Sequence, residues 1–112
     1  MLKKQNRLIK NRDFEKVFKQ GKGIKENFLY CKFIKNSLNF NRVGFIVSKK
    51  VSKKGVIRNK IKRRLREITR KNLPYLKKAL DICIICLPEI KQKKFYQIEE
   101  SIKKIFKKID YD

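Results

Sequence analysis

The chain has 112 residues, of which 41% are hydrophobic and 38% are charged. A chain of this length and hydrophobic content folds as one domain with an ordinary core, which excludes disorder. The absence of histidine excludes histidine-dependent triads, general bases and metal sites. The longest apolar run, 82–88, is too short to cross a membrane, and the first residues lack signal-peptide features. We therefore expect a cytoplasmic protein.

The charge balance is strongly basic, with 33 Lys and Arg residues, 10 acidic residues and a net charge of +23. Such a charge repels itself, so it favours a polyanionic partner, and nucleic acid is the leading candidate. A genome poor in G and C would explain the abundance of lysine, but not the placement of arginine. Five of the eight arginines lie within 56–70. Arginine is the side chain suited to bidentate phosphate contact.

The N-terminal segment begins with a basic arm, 1–9, that we expect to lie extended along the domain. Asn11 is predicted to cap a short helix, 12–20, that ends at Gly21. The apolar residues of this helix form one stripe: Phe14, Val17 and Phe18.

Two strands are predicted next, at 27–35 and 42–48, joined as a hairpin by the polar turn 36–41. The first strand alternates, so its residues divide between two faces. One face carries Leu29, Cys31 and Phe33, and the other carries Phe28, Tyr30, Lys32 and Ile34.

A lysine-rich loop, 49–55, precedes a predicted helix that runs to about Asn72. The helix has an apolar stripe of Ile57, Ile61, Leu65 and Ile68. Burial of each stripe side chain contributes roughly 1.5–3 kcal/mol, whereas each exposed like-charge pair costs only a few tenths. The outward face carries Asn59, Arg63, Arg66 and Arg70, flanked by Arg58, Lys60, Lys62 and Arg64. Because Glu67 is the only acidic residue there, this face predicts binding to a nucleic-acid backbone.

The C-terminal third is predicted to contain a central strand, 81–87, and a last helix, 96–109. Cys83 and Cys86 lie three residues apart on this strand and therefore point to opposite faces, so they cannot share a metal ion. We expect both, with Cys31, to be core thiols. The order α-β-β-α-β-α predicts an α+β single-domain two-layer sandwich with a small mixed sheet, and residues 1–112 as a single RNA-binding domain.

The run VGFIVSKKVSKKGVIRNKIKRRLRE, residues 43–67, closely resembles the signature of the bacterial ribonuclease P protein subunit. The resemblance extends to 6–22 and to the strand DICIICLP at 81–88. One departure is Lys60, which stands where the family usually has arginine. Lysine keeps the charge but loses the bidentate fork.

The resemblance implies an accessory subunit of an endoribonuclease that removes the 5′ leader from precursor tRNA. The catalytic RNA carries the chemistry with Mg²⁺, so we expect no catalytic residue, metal site or cofactor in the protein itself. The expected partners are the ribonuclease P RNA and precursor tRNA, with no membrane and no obligate protein partner. The resemblance also implies a left-handed β-α-β crossover through the arginine-rich helix, contrary to the usual right-handed rule.

Two surfaces follow from the resemblance. The surface for the catalytic RNA comprises Lys49, Lys50, Lys53, Lys54, Arg58, Asn59, Lys60, Lys62, Arg63, Arg66 and Arg70. The cleft for the leader comprises Arg7, Arg12, Phe14, Phe18, Tyr30 and Lys32. Without the resemblance, Phe14 and Phe18 would be interpreted as core residues. Asn59 has two open roles, which are holding the geometry between loop and helix, and contacting RNA.

Three other functions fit the composition less fully. A ribosomal-type or general RNA-binding chaperone would lack selectivity for leader-bearing precursor tRNA. A stand-alone nuclease would cleave without the catalytic RNA, although the ten scattered acidic residues do not predict a metal-binding cluster. A membrane-active cationic protein would bind liposomes, but the apolar stripe of the basic helix is needed for the core.

Overall fold

The computed structural model describes residues 2–111 and contains three α-helices and four β-strands in that range. In chain order these are α1 (Asn11–Gln20), β1 (Lys22–Glu26), β2 (Leu29–Lys35), β3 (Arg42–Ile46), α2 (Gly55–Asn72), β4 (Leu80–Cys86) and α3 (Phe95–Tyr111). Short 3-10 turns lie at Lys4–Asn6, Leu73–Tyr75 and Pro88–Gln92. The strands form one sheet in the order β1-β2-β4-β3. The predicted α+β class is therefore confirmed. Within the described residues, no helix is both long and apolar enough to cross a membrane.

The predicted hairpin between β2 and β3 is wrong. β2 pairs antiparallel with β1 and β4, and β3 pairs parallel with β4. The apolar strand β4 lies between them, with both edges hydrogen-bonded to neighbouring strands and its two faces packed in the main core and in the cluster beneath α1. β3, α2 and β4 thus form a β-α-β unit, whose left-handed sense stays a prediction.

The strand β1 was missed by sequence reasoning. Its sequence, KGIKE, has a single large apolar residue, Ile24, and it occupies an edge of the sheet, where charged residues are favoured. β1 joins β2 through a tight turn at Asn27 and Phe28. Asn27 has φ 54°, a left-handed conformation that asparagine tolerates better than most residues. Phe28 was predicted on the same strand face as Tyr30, but it lies in this turn. It is 4% exposed and packs in the main core.

The main core lies between one face of the sheet and the helices α2 and α3. The predicted stripes are confirmed, because Ile61, Leu65 and Ile68 of α2 are buried and Ile57 packs against them. The stripe of α3 is also buried: Ile98, Ile102, Ile105, Phe106 and Ile109. The opposite face of the sheet carries a smaller cluster beneath α1, so α1 covers that face only in part.

Residues 2–9 lie along the domain as predicted, but a 3-10 turn at Lys4–Asn6 interrupts the extended conformation. Leu2 and Leu8 are buried, and the backbone N–H of Leu8 donates to the carbonyl of Val43 at 3.0 Å beside β3. The N-cap of α1 is Lys10, so the prediction of Asn11 as the cap is wrong. Gly21 ends α1 as expected, and a Cβ there would lie 2.8 Å from the carbonyl oxygen of Phe33, closer than side chains allow.

Candidate nucleic-acid interface

The loop before α2 holds its lysines in solvent by anchoring the residues between them. Val51 and Ser52 are buried, and the Oγ of Ser52 accepts a hydrogen bond from the N–H of Lys54 at 3.2 Å. The exposed lysines of this loop are Lys49, Lys50, Lys53 and Lys54. The first turn of α2 contains no acidic residue, so the positive end of the helix dipole adds to their field.

Arg58 has a structural task that the sequence did not reveal. Its Nη1 donates to the carbonyl oxygens of Ser52 and Lys53, both at 3.0 Å, and so ties the lysine loop to α2. Asn59 is exposed and makes no hydrogen bond to a described residue. Of the two roles considered for Asn59, the loop-holding role belongs to Arg58, and the RNA contact by Asn59 stays a prediction.

The outward face of α2 carries cations in two degrees of exposure. Lys60 and Arg63 are exposed, whereas Lys62, Arg64 and Arg66 are half-buried against the domain. Near the end of the helix, Arg70 pairs with Glu67, with Nη2 and Oε1 2.6 Å apart. The hydrogen bond from Arg70, together with its charge, lowers the pKa of Glu67. Arg70 is therefore the member of the predicted surface whose charge is most directly offset.

The predicted leader cleft lies between α1 and an open part of the sheet. The ring of Phe14 rests on Gly44, where an added Cβ would collide with the ring. The ring and hydroxyl of Tyr30 lie over Gly23 in the same way. Phe14 and Phe18 are half-buried and pack against the small cluster, so each has a buried and an exposed side. The two glycines leave room for the aromatic rings to approach the backbone closely.

One row of residues beyond α1 forms the open floor of the cleft. The strand register aligns Ile46, Ile85, Tyr30 and Lys25 across the whole sheet. Ile46, Ile85 and Tyr30 are half-buried, which leaves apolar surface facing solvent. Sequence reasoning missed Ile46 and Ile85, because the apolar residues of their strands do not show which part of the sheet α1 leaves uncovered. The alternation of side chains between the two faces along each strand was the signal available in the sequence.

The remaining residues predicted for the cleft differ in whether their charged groups already make contacts within the protein. Lys32 Nζ donates to the carbonyl oxygen of Phe18 at 2.7 Å, so it supports the end of α1. Arg7 donates through Nε and Nη2 to the carbonyl of Leu2 at 3.1 and 3.0 Å. Arg12 is exposed and forms no ion pair with a described residue. The structure thus leaves Arg12 the freest cation of this set.

The two predicted surfaces meet at one pocket of about 110 Å³. Arg7 and Phe14 of the leader set line this pocket together with Lys62 and Arg66 of the catalytic-RNA set. Residues far apart in the sequence, assigned to two different RNAs, therefore form one continuous surface. A nucleic-acid chain lying in the cleft would reach the cations of α2 without leaving the protein.

Two acidic residues near α1, Asp81 and Asp13, are paired with Arg42. Asp81 is 5% exposed and accepts from Arg42 Nε at 2.8 Å and from Asn36 Nδ2 at 2.9 Å. Asp13 of α1 pairs with the same guanidinium at 3.3 Å. The hydrogen bond to Asp81 is the main cause of the raised pKa of Arg42. These carboxylates are engaged in holding α1 to the sheet.

The three cysteines are core thiols, as predicted. Cys83 belongs to the small cluster beneath α1, whereas Cys86 and Cys31 belong to the main core on the other face. Burial raises the pKa of Cys83 and Cys86 to about 12, so both remain protonated at neutral pH. Among residues 2–111, no three His, Cys, Asp or Glu side chains come together as metal ligands.

These features define a small α+β protein with a cationic and aromatic surface of the kind that suits a polyanion. A family model described as Ribonuclease P matches residues 2–110. The chain belongs to the ribonuclease P protein family.

Similar proteins agree in sequence and in structure. The ribonuclease P protein component of Alkaliphilus oremlandii is 40% identical over 109 residues, which cover 97% of this chain and 95% of that protein. That of Clostridium acetobutylicum is 39% identical and covers 94% and 89%. The RNase P protein structure of Thermotoga maritima matches with a TM-score of 0.82 at 33% identity, covering 91% and 96%. That of Staphylococcus aureus at 2.0 Å resolution matches with 0.82 at 31%, covering 91% and 93%.

Family membership makes this chain the accessory protein subunit of ribonuclease P, an endoribonuclease of tRNA processing, and a partner of the ribonuclease P RNA. The family resemblance of residues 43–67 is therefore confirmed.

Proposed function

We propose that the protein binds the catalytic RNA through α2 and its lysine loop, and the 5′ leader of precursor tRNA through the cleft beside α1. The observation that carries this proposal is the pocket where Arg7 and Phe14 meet Lys62 and Arg66. A leader held in the cleft passes directly to the surface that binds the catalytic RNA. The protein therefore positions the substrate against the ribozyme.

In the cleft, stacking and charge act together without reading sequence. The exposed sides of Phe14 and Tyr30 offer flat surfaces on which unpaired bases stack, at roughly 1–3 kcal/mol per base. Arg12 and Lys25 are exposed at the margins and attract the phosphates. Because every base has a flat face, such a cleft accepts leaders of differing sequence.

On α2, the cations act by counterion release. Each RNA phosphate that a Lys or Arg neutralises releases condensed counterions, so affinity falls as salt rises. Bringing the protein's charge of +23 onto the RNA also reduces the repulsion between catalytic RNA and precursor tRNA. We assign Mg²⁺ and the bond-breaking chemistry to the RNA. Two carboxylates near α1, Asp13 and Asp81, are already paired with Arg42.

The test is cleavage of precursor tRNA by a bacterial ribonuclease P RNA at limiting Mg²⁺, with and without this protein. We expect the protein to raise cleavage at the mature 5′ end strongly, because it supplies positive charge that Mg²⁺ would otherwise provide. Tight binding to many unrelated RNAs without a rise in cleavage would instead favour the general chaperone function.

A variant arm tests the cleft itself. Phe14→Ala should weaken binding of leader-bearing precursor tRNA by roughly 1–3 kcal/mol and leave mature tRNA unchanged. Phe95→Ala is the matched control, since Phe95 is an exposed aromatic residue of α3. Equal losses for both tRNAs, or a lower unfolding temperature with no selective loss, would return Phe14 to the core.

A further inference from the structure

A second pocket, of about 270 Å³, lies where β2 ends, apart from the leader cleft. It is lined by Gln20, Lys22, Phe33, Ile34, Lys35, Lys78 and Leu80. Phe33 and Leu80, both buried, supply an apolar floor, and Ile34 lines the pocket from the opposite face of the sheet. The three lysines come from β1, from β2 and from the segment before β4, so the fold brings them together.

The strand register places most of this pocket on the face opposite the cleft. Phe33 and Lys35 alternate with Tyr30 and Ile34 along β2, so they point away from α1. Lys22 pairs with Phe33, and Lys35 pairs with Leu80, which puts all four on the same face. Gln20 at the end of α1 and Ile34 line the pocket from the α1 side, so the pocket lies where the two faces of the sheet meet.

The charges around this pocket have one sign. No carboxylate lines it, and none of its lysines forms an ion pair with a described residue. Two grooves beside α3, of about 580 and 420 Å³, each contain two carboxylates, whereas a groove of about 320 Å³ beside Lys3 and Arg70 contains none. The amide of Gln20 makes no hydrogen bond to a described residue, so it is available to a ligand. An apolar floor, unneutralised cations and one free amide fit an unpaired nucleotide.

The position of β1 connects this pocket to the leader cleft. The open row of the cleft ends at Lys25 on β1, which is an edge strand of the sheet. Lys22 lies three residues along the same strand, or about 10 Å away. A leader that crosses the cleft from Arg66 toward Lys25 therefore leaves the sheet beside the second pocket.

We propose that this pocket binds a nucleotide of the leader upstream of the segment held in the cleft. The proposal rests on the proposed function, which places the leader in the cleft. The base lies on the apolar floor, where Gln20 hydrogen-bonds its edge. The phosphates on either side contact the lysines. The pocket extends the leader-binding path around the edge of the sheet.

Leader length provides the test. The triple variant Lys22→Ala, Lys35→Ala and Lys78→Ala is reconstituted with the catalytic RNA. Its affinity is then measured for precursor tRNAs with leaders of about 4 and about 16 nucleotides, the range of single-strand site sizes in small domains. We expect about a tenfold loss for the long leader, a salt slope lower by about 2, and no loss for the short leader. The matched control is Lys103→Ala, Lys104→Ala and Lys107→Ala, which removes the same charge from α3.

Three outcomes would overturn the proposal. An equal loss for both leaders would mean that the lysines act through the general field of the protein. A loss of affinity for the catalytic RNA alone would assign the pocket to that RNA. Unchanged binding of the long leader would mean that the pocket takes no leader nucleotide. None of these results affects the selective loss expected for Phe14→Ala on the short leader, so failure of this proposal is distinguishable from failure of the proposed function.

Discussion

The helices α2 and α3 are alike on their inner faces and different on their outer faces. They have 18 and 17 residues, and both bury an apolar stripe against the same side of the sheet. α2 carries eight basic residues, five of them arginine, against one acidic residue. α3 carries four lysines, no arginine and three acidic residues. Two helices with the same packing role therefore differ on the outer face, which on α2 is the surface that we propose binds RNA.

In a lysine-rich chain, this difference also distinguishes cations that indicate a binding surface from those of an ordinary solvated helix. The lysines of α3 alternate with Glu99, Glu100 and Asp110, as on an ordinary solvated helix. The cations of α2 repel one another, but burial of Leu65 and its neighbours stabilises the helix by more than this repulsion costs. A helix face with so few carboxylates is typical of a surface that binds a polyanion, which is the role that we propose for α2.

The largest expected effect concerns the buried inner faces, in which α2 and α3 are alike. Leu65→Ala on α2 and Ile102→Ala on α3 should each lower the free energy of unfolding by about 2–5 kcal/mol, because both side chains are fully buried. Urea unfolding followed by circular dichroism measures this loss. A loss below about 1 kcal/mol in only one variant would show that the two inner faces are not equivalent.

The next effect separates the outer faces. Lys60→Ala, Arg63→Ala and Arg66→Ala together should weaken binding to the catalytic RNA on the order of 10²-fold, with a salt slope lower by about 2.7. The matched triple variant of α3, at Lys103, Lys104 and Lys107, should change affinity less than about threefold. Titration of labelled catalytic RNA over a series of salt concentrations measures both. Similar slopes for the two variants would abolish the contrast between the helices.

The smallest effect concerns the single acidic residue of α2. Glu67→Gln should raise affinity for the catalytic RNA by roughly twofold or more, because it removes a repulsive charge and releases Arg70. Arg70 lowers the pKa of Glu67 below its ordinary value of 4.5, so Glu67 is ionised at neutral pH. The advantage of the variant should therefore persist at neutral pH and vanish as pH falls through the lowered pKa. Glu100→Gln on α3 is the control and should have no effect at any pH.

Much of the fold was predictable from local patterns. The helices, the stripes of α2 and α3, the central strand β4 and the opposite orientation of Cys83 and Cys86 follow from periodicity. The edge strand β1 could not be predicted, because an exposed edge imposes no apolar pattern on its residues. The pairing of β3 with β4 was also missed, since which strands become neighbours is a non-local choice.

The candidate site was predictable as a set of residues, but not as a surface. The cations of α2 and the aromatics of α1 were selected from the sequence and the family resemblance. The sequence did not reveal that Arg58 holds the loop, that Lys32 supports the end of α1, or that Ile46 and Ile85 floor the cleft. Each of these depends on atoms brought together from distant parts of the chain.

The sequence by itself determined the family, the charge and the sidedness of α2, because these reside in residue identity and in spacing along one helix. Only the tertiary structure decided that Arg7 and Phe14 meet Lys62 and Arg66, and that Lys22, Lys35 and Lys78 surround one pocket. Helix periodicity is a local property of the chain. Which residues become adjacent across a sheet depends on register and strand order. These are set when the apolar faces of different elements pack together.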